Sequence, residues 1–531
     1  MHHTHPTTDK TGLLGFRELD LSHPWPAVWL GVPFDRLVSW LSLAKDNTPL
    51  PPSRIDTVDL DTLSVKQRQA LDLVTDHLFG SASEEQLLMV VLGTAGTGKS
   101  YLINAVRHAF ALQSQTHRLR VTAPTGIAAA NVSGSTIYSL LSLLNENLSG
   151  SRLNFLQSSL QDVSLIIIDE YSFLSVPIFD SLDRQLRKIF PSKADRPFGG
   201  MNIVLCGDPA QLAPVRGQPV YATQPTTTAS PQRFHLFNTV VELDQPFRQA
   251  GMDTTQIRFR QLLARVANCQ ALEEDWIWLQ TRRPSSLSPL DNASFDSCRH
   301  IVSTNKVRNE INSRRLSHFS PIMSIAADDD DLHDVAADNA NEECLDHIGA
   351  QLFAVGAEVM LTANLWTEAG LVNGSCGTID DIIKPPDNRS ARVLMVNFPG
   401  YHGPPLSPSR PNVVPITQVR ADNHKGIPLS LAWAVTIHKS QGMTLDQVTV
   451  DLGNSEFASG LTFVALSRAK SFAGLRVEPF DFNRFQRIET GRHVAGRRDE
   501  FCRLRLLAAS TAQRPQNPPT PICRTAPARP V

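Results

Sequence analysis

The stretch Gly93 to Ser100, GTAGTGKS, constrains the fold more than any other part of the sequence. It fits the pattern G-x-x-x-x-G-K-[ST], which needs a strand before it and a helix after it. Both are present: the apolar run Leu87–Leu92 precedes it, and Leu102, Ile103, Val106 and Phe110 follow at helical spacing. Glycines let the backbone curl so that its N–H groups and the helix N-terminus face phosphates, while Lys99 neutralises β/γ-phosphate charge and Ser100 offers a hydroxyl to Mg²⁺. Gly93, Thr94, Ala95, Gly96, Thr97, Gly98, Lys99 and Ser100 are therefore the expected nucleotide-binding set. The competing reading, a flexible glycine-rich turn, does not account for the strand-to-helix setting.

From about residue 59 short apolar runs alternate with amphipathic stretches, the βα alternation of a mostly parallel sheet. In such sheets ligands bind beyond the carboxyl ends of the strands. The run Val163–Ile168 ends at Asp169-Glu170, which suits Asp169 to Mg²⁺ and Glu170 to a general base orienting the attacking water. A third run, NIVLCGDPAQLAPV, leads to Gln211, whose amide can report on a γ-phosphate. One such domain leaves the far side of the nucleotide open. Arg248 in DQPFRQ and Arg468 in FVALSRAK are the candidates for basic residues supplied from a second domain.

Composition sets limits rather than identity. The 531 residues are 41% hydrophobic and 19% charged with a net charge of −2, so a nucleic-acid site has to be a local groove and not an overall basic shell. The 7 cysteines are scattered without a CxxC pair, which reads as reduced thiols in the cytosol, nucleus or an organelle matrix. No apolar run approaches the roughly 20 residues that span a bilayer, and the start lacks the order of a signal peptide. The opening MHHTHP reads as a solvated start.

Taken in order, the motifs resemble those of superfamily-one helicases, most closely the petite-integration-frequency (PIF) family of 5′-to-3′ DNA helicases. LSVKQRQAL at 63–71 is similar to the family's adenine-contacting segment and points to Gln67. TAPTGIAAANVSGSTIYSLL at 122–141 is similar to its first single-strand-binding motif, pointing to Pro124, Thr125, Gly126 and Tyr138. VGAEVMLTANLWTEAGLVNGSCGTI at 355–379 resembles the approach to its inserted β-barrel and includes Asn364, with Asn373-Gly374 a turn signal in its own right. SLAWAVTIHKSQGMTLDQVTVDLG at 430–453 resembles the motif joining hydrolysis to DNA grip. There the resemblance implies Thr436, His438 and Ser440 near DNA or at the domain interface, and Gln441 and Gly442 near the γ-phosphate. GLTFVALSRAKSFAGL at 460–475 is similar to the last motif and carries Arg468. One departure is Tyr138, in TIYS, where the family has His; an aromatic can still stack on a base.

The resemblance implies an α/β chain of two RecA-like P-loop domains with parallel sheets, plus a small β-barrel-like insert in the second. The expected order is a lead-in at 1–58 and a first RecA-like domain at 59–244, with a wedge-like segment at about 142–160. The second domain starts at 245–350 with an acidic connector, is interrupted by a β-rich insert at 351–424 and is completed at 425–485. An Arg- and Pro-rich disordered tail fills 486–531. ATP and Mg²⁺ are the implied cofactors, single-stranded DNA and duplex junctions the implied partners, and the free protein is expected as a monomer without membrane contact. The nucleus is the expected location, with mitochondrion or cytoplasm as alternatives. Genome maintenance, repair, recombination, telomere upkeep and the helicase portion of a mobile element all remain open roles. So do a nucleotide-dependent DNA-binding scaffold and another P-loop enzyme, although TIHKSQG and ALSRAK have no place in a single-domain kinase.

Overall fold

The computed structural model describes residues 13–48, 58–80, 85–143, 148–214, 217–221, 233–249, 251–326, 350–385, 392–421, 424–454, 456, 460–489 and 494–513. The opening histidines, most of the acidic stretch, part of the wedge-like segment and the last residues lie outside them. The chain divides into two compact units, one of residues 1–52 and 304–435 and one of residues 53–303 and 436–531.

The second unit holds a six-stranded sheet in the order Ser135–Thr136, Leu119–Ala123, Leu165–Ile168, Asn202–Gly207, Leu88–Gly93, Thr239–Leu243. Every pairing in it is parallel. Parallel strands are buried on both faces, which is why these runs are continuously apolar instead of alternating. The two-residue period still decides which side each residue serves. Leu88, Val90, Leu92, Ile166, Ile168, Ile203 and Leu205 enter one core, and Met89, Val91, Leu165, Ile167, Val204 and Cys206 the other. Helices Val65–Phe79 and Lys99–Leu112 close the second core with Leu71, Val74, Ile103 and Phe110, and helix Val176–Ile189 closes the first with Phe179, Leu182 and Leu186. A smaller parallel sheet of the same unit places Val448–Asp451 between Arg299–Val302 and Leu475–Val477. The α/β class with parallel sheets is as the sequence implied.

The first unit centres on a five-stranded antiparallel sheet in the order Val413–Thr417, Val393–Asn397, Cys376–Ile383, Glu358–Leu361, Leu429–Leu431. A bulge separates Ile379 from Asp381, and alternation again sorts the faces. Ile379, Ile382, Leu394 and Val396 point into one core, and Ile383, Val393 and Met395 into the other.

Three boundaries differ from the sequence reading. Residues 13–48 are a structural part of the first unit: helix Phe34–Asn47 packs Phe34 and Leu37 against Val393 and Met395, and buried Asp20 accepts the N–H of Ile322 at 2.9 Å. Helix Asn305–Leu316 and strand Met323–Ala326 also belong to this unit and not to a second parallel-sheet domain. The expected tail contains the 19-residue helix Val494–Ala512. Its buried positions Val494, Arg497, Glu500, Leu504 and Thr511 follow at steps of three, three, four and seven residues, all on one helical face, but two of them are charged, so the apolar pattern that betrays a helix is broken.

Candidate nucleotide and nucleic-acid site

The phosphate-binding loop leaves strand Leu88–Gly93 and turns into helix Lys99–Leu112 through Gly96 and Gly98, at φ +86° and +81°. Only glycine accepts those angles without strain, and both positions also lack room. A Cβ at Gly96 would collide with the side chain of Arg248, and one at Gly98 would meet the Gln67 amide and the Phe247 ring. Lys99 is buried, and its Nζ donates to the carbonyls of Gly93 at 2.7 Å and Thr94 at 3.3 Å. Ser100, in the first turn of the helix, is exposed.

Asp169 follows strand Leu165–Ile168 and accepts the Glu170 N–H at 3.0 Å. Burial, reinforced by the neighbouring Glu170 carboxylate and opposed by Lys99, pushes its carboxyl up to about 7. Glu170 takes a left-handed conformation at φ 51°, sparsely populated for a residue with a Cβ, which turns its carboxylate toward the second sheet's elements. There Gln441 Nε2 donates to Gln211 Oε1 at 2.8 Å and lies 3.5 Å from Glu170 Oε2. The Oε1 of Gln441 is buried without a hydrogen-bond partner. Gln211 also reaches Asp208 at 3.5 Å, and burial raises the Asp208 carboxyl against the pull of Lys99.

Arg468 is 1% exposed. It donates to Val464 O at 2.8 Å, Ser467 Oγ at 2.8 Å and Met443 O at 3.3 Å. Burial, with the repulsion of Arg248 added, lowers its pKa to about 9, while Glu170 and Asp208 act the other way. Arg248 is lowered by burial as well. Carboxyls held up and guanidiniums held down around one space are charges of both signs, desolvated and incompletely paired. A triphosphate with a divalent cation would complete that pattern. Among the described residues no group of three or more His, Cys, Asp or Glu could hold a metal alone. One carboxylate and one hydroxyl beside phosphates are the donor set Mg²⁺ ordinarily takes.

Several sequence-derived positions have partners within the chain. Arg248 joins the phosphate-binding loop by its backbone, its own N–H and that of Phe247 donating to Gly96 O at 3.2 and 2.7 Å, while its guanidinium donates to Ser467 O at 3.4 Å. Gln67 is buried; its Oε1 accepts the Ser64 N–H at 2.9 Å and its Nε2 donates to the Gly98 carbonyl at 3.2 Å, so it buckles a helix to the phosphate-binding loop. Ser440, expected near DNA or at the domain interface, is 0% exposed and its hydroxyl donates to Ile437 O at 2.8 Å within the turn. Asn364 Oδ1 accepts the N–H of Asn373 at 2.9 Å, bracing the Asn373-Gly374 turn in the first unit.

The remaining positions are distributed as follows. Thr125 is exposed and caps helix Gly126–Asn131, accepting the Ala128 N–H at 3.3 Å, while Pro124 and Gly126 on either side are buried. Tyr138 is half-buried, its ring packed on the core beneath helix Ile137–Leu141 and its phenol raised by burial. Thr436 and His438 are half-buried, the imidazole lowered by burial, and Gly442 at φ +84° packs against Asn131 and Ile127. Asp208, which ends the run NIVLCGD, had no role assigned from the sequence, although an acidic residue just past a strand's carboxyl end was a usable signal.

Residues 62–275 match the PIF1-like helicase family. Over 73% of its length the chain is 30% identical to the ATP-dependent DNA helicase PIF1 of Mus musculus and to that of Homo sapiens. The chain is thus similar to the PIF1-like helicases. It spans 57% and 58% of the length of those two relatives. The crystal structure of the Pif1 helicase from Candida albicans has the same fold, with a TM-score of 0.59 at 23% identity over 83% of this chain and 99% of that one. So does Pif1 helicase from Bacteroides in complex with ADP-AlF3 and ssDNA, with a TM-score of 0.58 at 24% identity over 85% and 98%.

Proposed function

We propose that this PIF1-like chain hydrolyses ATP and uses the energy to move 5′ to 3′ along single-stranded DNA and open duplexes. The observation that carries the reading is the gathering of buried groups of opposite charge beside the phosphate-binding loop. Lys99, Asp169, Glu170, Gln211, Arg248, Gln441 and Arg468 come to it from segments spread over most of the chain.

Each residue has a task that its geometry fits. Lys99, already turned toward the loop carbonyls, would exchange them for β/γ-phosphate oxygens. Glu170 would take the proton of the attacking water, with its carboxylate steadied by Gln441. Arg468 and Arg248 would balance the charge developing on the transferred phosphoryl group. Mg²⁺, held by Ser100 and Asp169, would neutralise phosphate oxygens. Gln441, bonded to Gln211 and facing Glu170, links the nucleotide to the His438 turn; a change at the γ-phosphate would thereby be felt where DNA is gripped. Thr125, Tyr138, Thr436 and His438 retain exposed surface for that grip. The names of the similar proteins, ATP-dependent DNA helicases, support the same assignment.

The direct test is ATP turnover with and without a single-stranded oligonucleotide. A motor of this kind is expected to be stimulated at least about tenfold, because closure that completes the site needs the strand. Turnover indifferent to DNA would leave a nucleotide hydrolase without a track.

A further inference from the structure

Arg468 stands just past helix Leu461–Leu466, so whatever fixes that helix fixes the guanidinium. The helix begins at Gly460, at φ +92°, which has no side chain to cap it. Its start is held instead by Glu456, whose Oε1 accepts the Gly460 N–H at 2.7 Å and whose Oε2 accepts the Thr462 N–H at 3.2 Å and the Thr462 hydroxyl. The Glu456 side chain is 5% exposed and faces Arg484, 1% exposed, across 3.8 Å. Arg484 in turn donates to Thr462 Oγ1 at 3.1 Å and Gly453 O at 3.4 Å.

Two buried charges in contact are costly unless each is fully served, so a pair kept in a core asks for a reason beyond stability. The reason lies on the other side of Gly460. A Cβ there would stand 2.8 Å from Ala210 O and 3.0 Å from Gln211 O. Glu456 therefore grips the chain where the helix leading to Arg468 presses on the residue that carries the Gln211 amide. The bonds of Glu456 and Arg484 run to Gly453, Gly460, Thr462 and each other.

We propose that Glu456 and Arg484 are positioning residues that set the register between Arg468 and Gln211, so that hydrolysis proceeds only with the two in step. This rests on the reading above that ATP is cleaved at this site. Loss of the grip lets the helix start drift, and a displacement of about 1 Å in a catalytic group costs on the order of a hundredfold in rate.

The test is a double-mutant cycle on single-stranded-DNA-stimulated ATP turnover, with rates expressed per bound nucleotide so that a misfolded fraction does not count. Glu456→Gln, isosteric but uncharged, is expected to lower kcat by about ten- to a hundredfold while KM for ATP stays within about twofold. In an Arg468→Ala background the same substitution is expected to have almost no further effect, because residues acting as one unit are not additive. Thr462→Val, which deletes only the shared hydroxyl, should show the same kcat-only pattern at smaller size, and it carries the test if Glu456→Gln does not fold. An unchanged kcat in these variants, or an equal fold-loss with and without Arg468, overturns the proposal. An Arg468→Ala protein that hydrolyses ATP normally would instead refute the underlying assignment of the site.

Discussion

Arg468→Ala is expected to lower ATP turnover by about 10³-fold or more while nucleotide binding changes little. Removing a guanidinium that neutralises transition-state charge typically costs about 10³ to 10⁵ in phosphoryl transfer. The side chain here is poised for that work: it is 1% exposed, held by three hydrogen bonds, and lowered to about 9 by burial and by Arg248. Its charge is therefore poorly solvated before a phosphate arrives. Arg468→Lys should recover little, since a lysine cannot donate along several fixed directions at once. Single-turnover hydrolysis alongside binding of a non-hydrolysable ATP analogue checks this. A loss below about tenfold would reassign Arg468 to a structural role.

The second large effect concerns stability. Leu504→Ala is expected to destabilise the protein by about 2–5 kcal/mol, as for other large-to-small changes in a packed core. Leu504 is 0% exposed and joins the core formed by Phe179, Phe234 and Val240, although it lies in a stretch whose composition suggested a tail. Farther along the same helix, Thr511 accepts the N–H of Val240 at 3.1 Å, serving strand Thr239–Leu243 at the edge of the six-stranded sheet. Arg497 ties the helix's start to Ala267 O at 3.1 Å. Leu506→Ala, at a position 73% exposed on the same helix, should stay within about 0.5 kcal/mol. Urea unfolding of the two variants side by side measures the difference. Equal midpoints would mean that the helix is not part of the folded core.

What could be read from the sequence was what local chemistry controls. The loop Gly93–Ser100, the strand ending at Asp169-Glu170 and the parallel-sheet alternation are each written within a few consecutive residues, and the structure places them together. The legibility fails where a residue's role depends on distant partners. Arg248 was taken from its motif as a far-side cation, yet its backbone lies on Gly96 because the chain returns to the loop after strand Thr239–Leu243. Ser440 and Gln67 have the residue types that contact ligands, and only the fold shows that both are buried and bonded within the chain. Glu456 and Arg484 lie 28 positions apart with no pattern linking them, and only the fold makes them a pair. Charged residues on the buried face of Val494–Ala512 hid a helix for the same reason.

A directional DNA motor is tested by ATP-dependent unwinding of a duplex bearing a single-stranded tail at either its 5′ or its 3′ end. The 5′-tailed substrate is expected to open, the 3′-tailed one to stay closed, and Lys99→Ala to open neither. Failure of the folded, ATP-binding protein to open either substrate, or opening of the 3′-tailed duplex alone, would contradict a 5′-to-3′ motor.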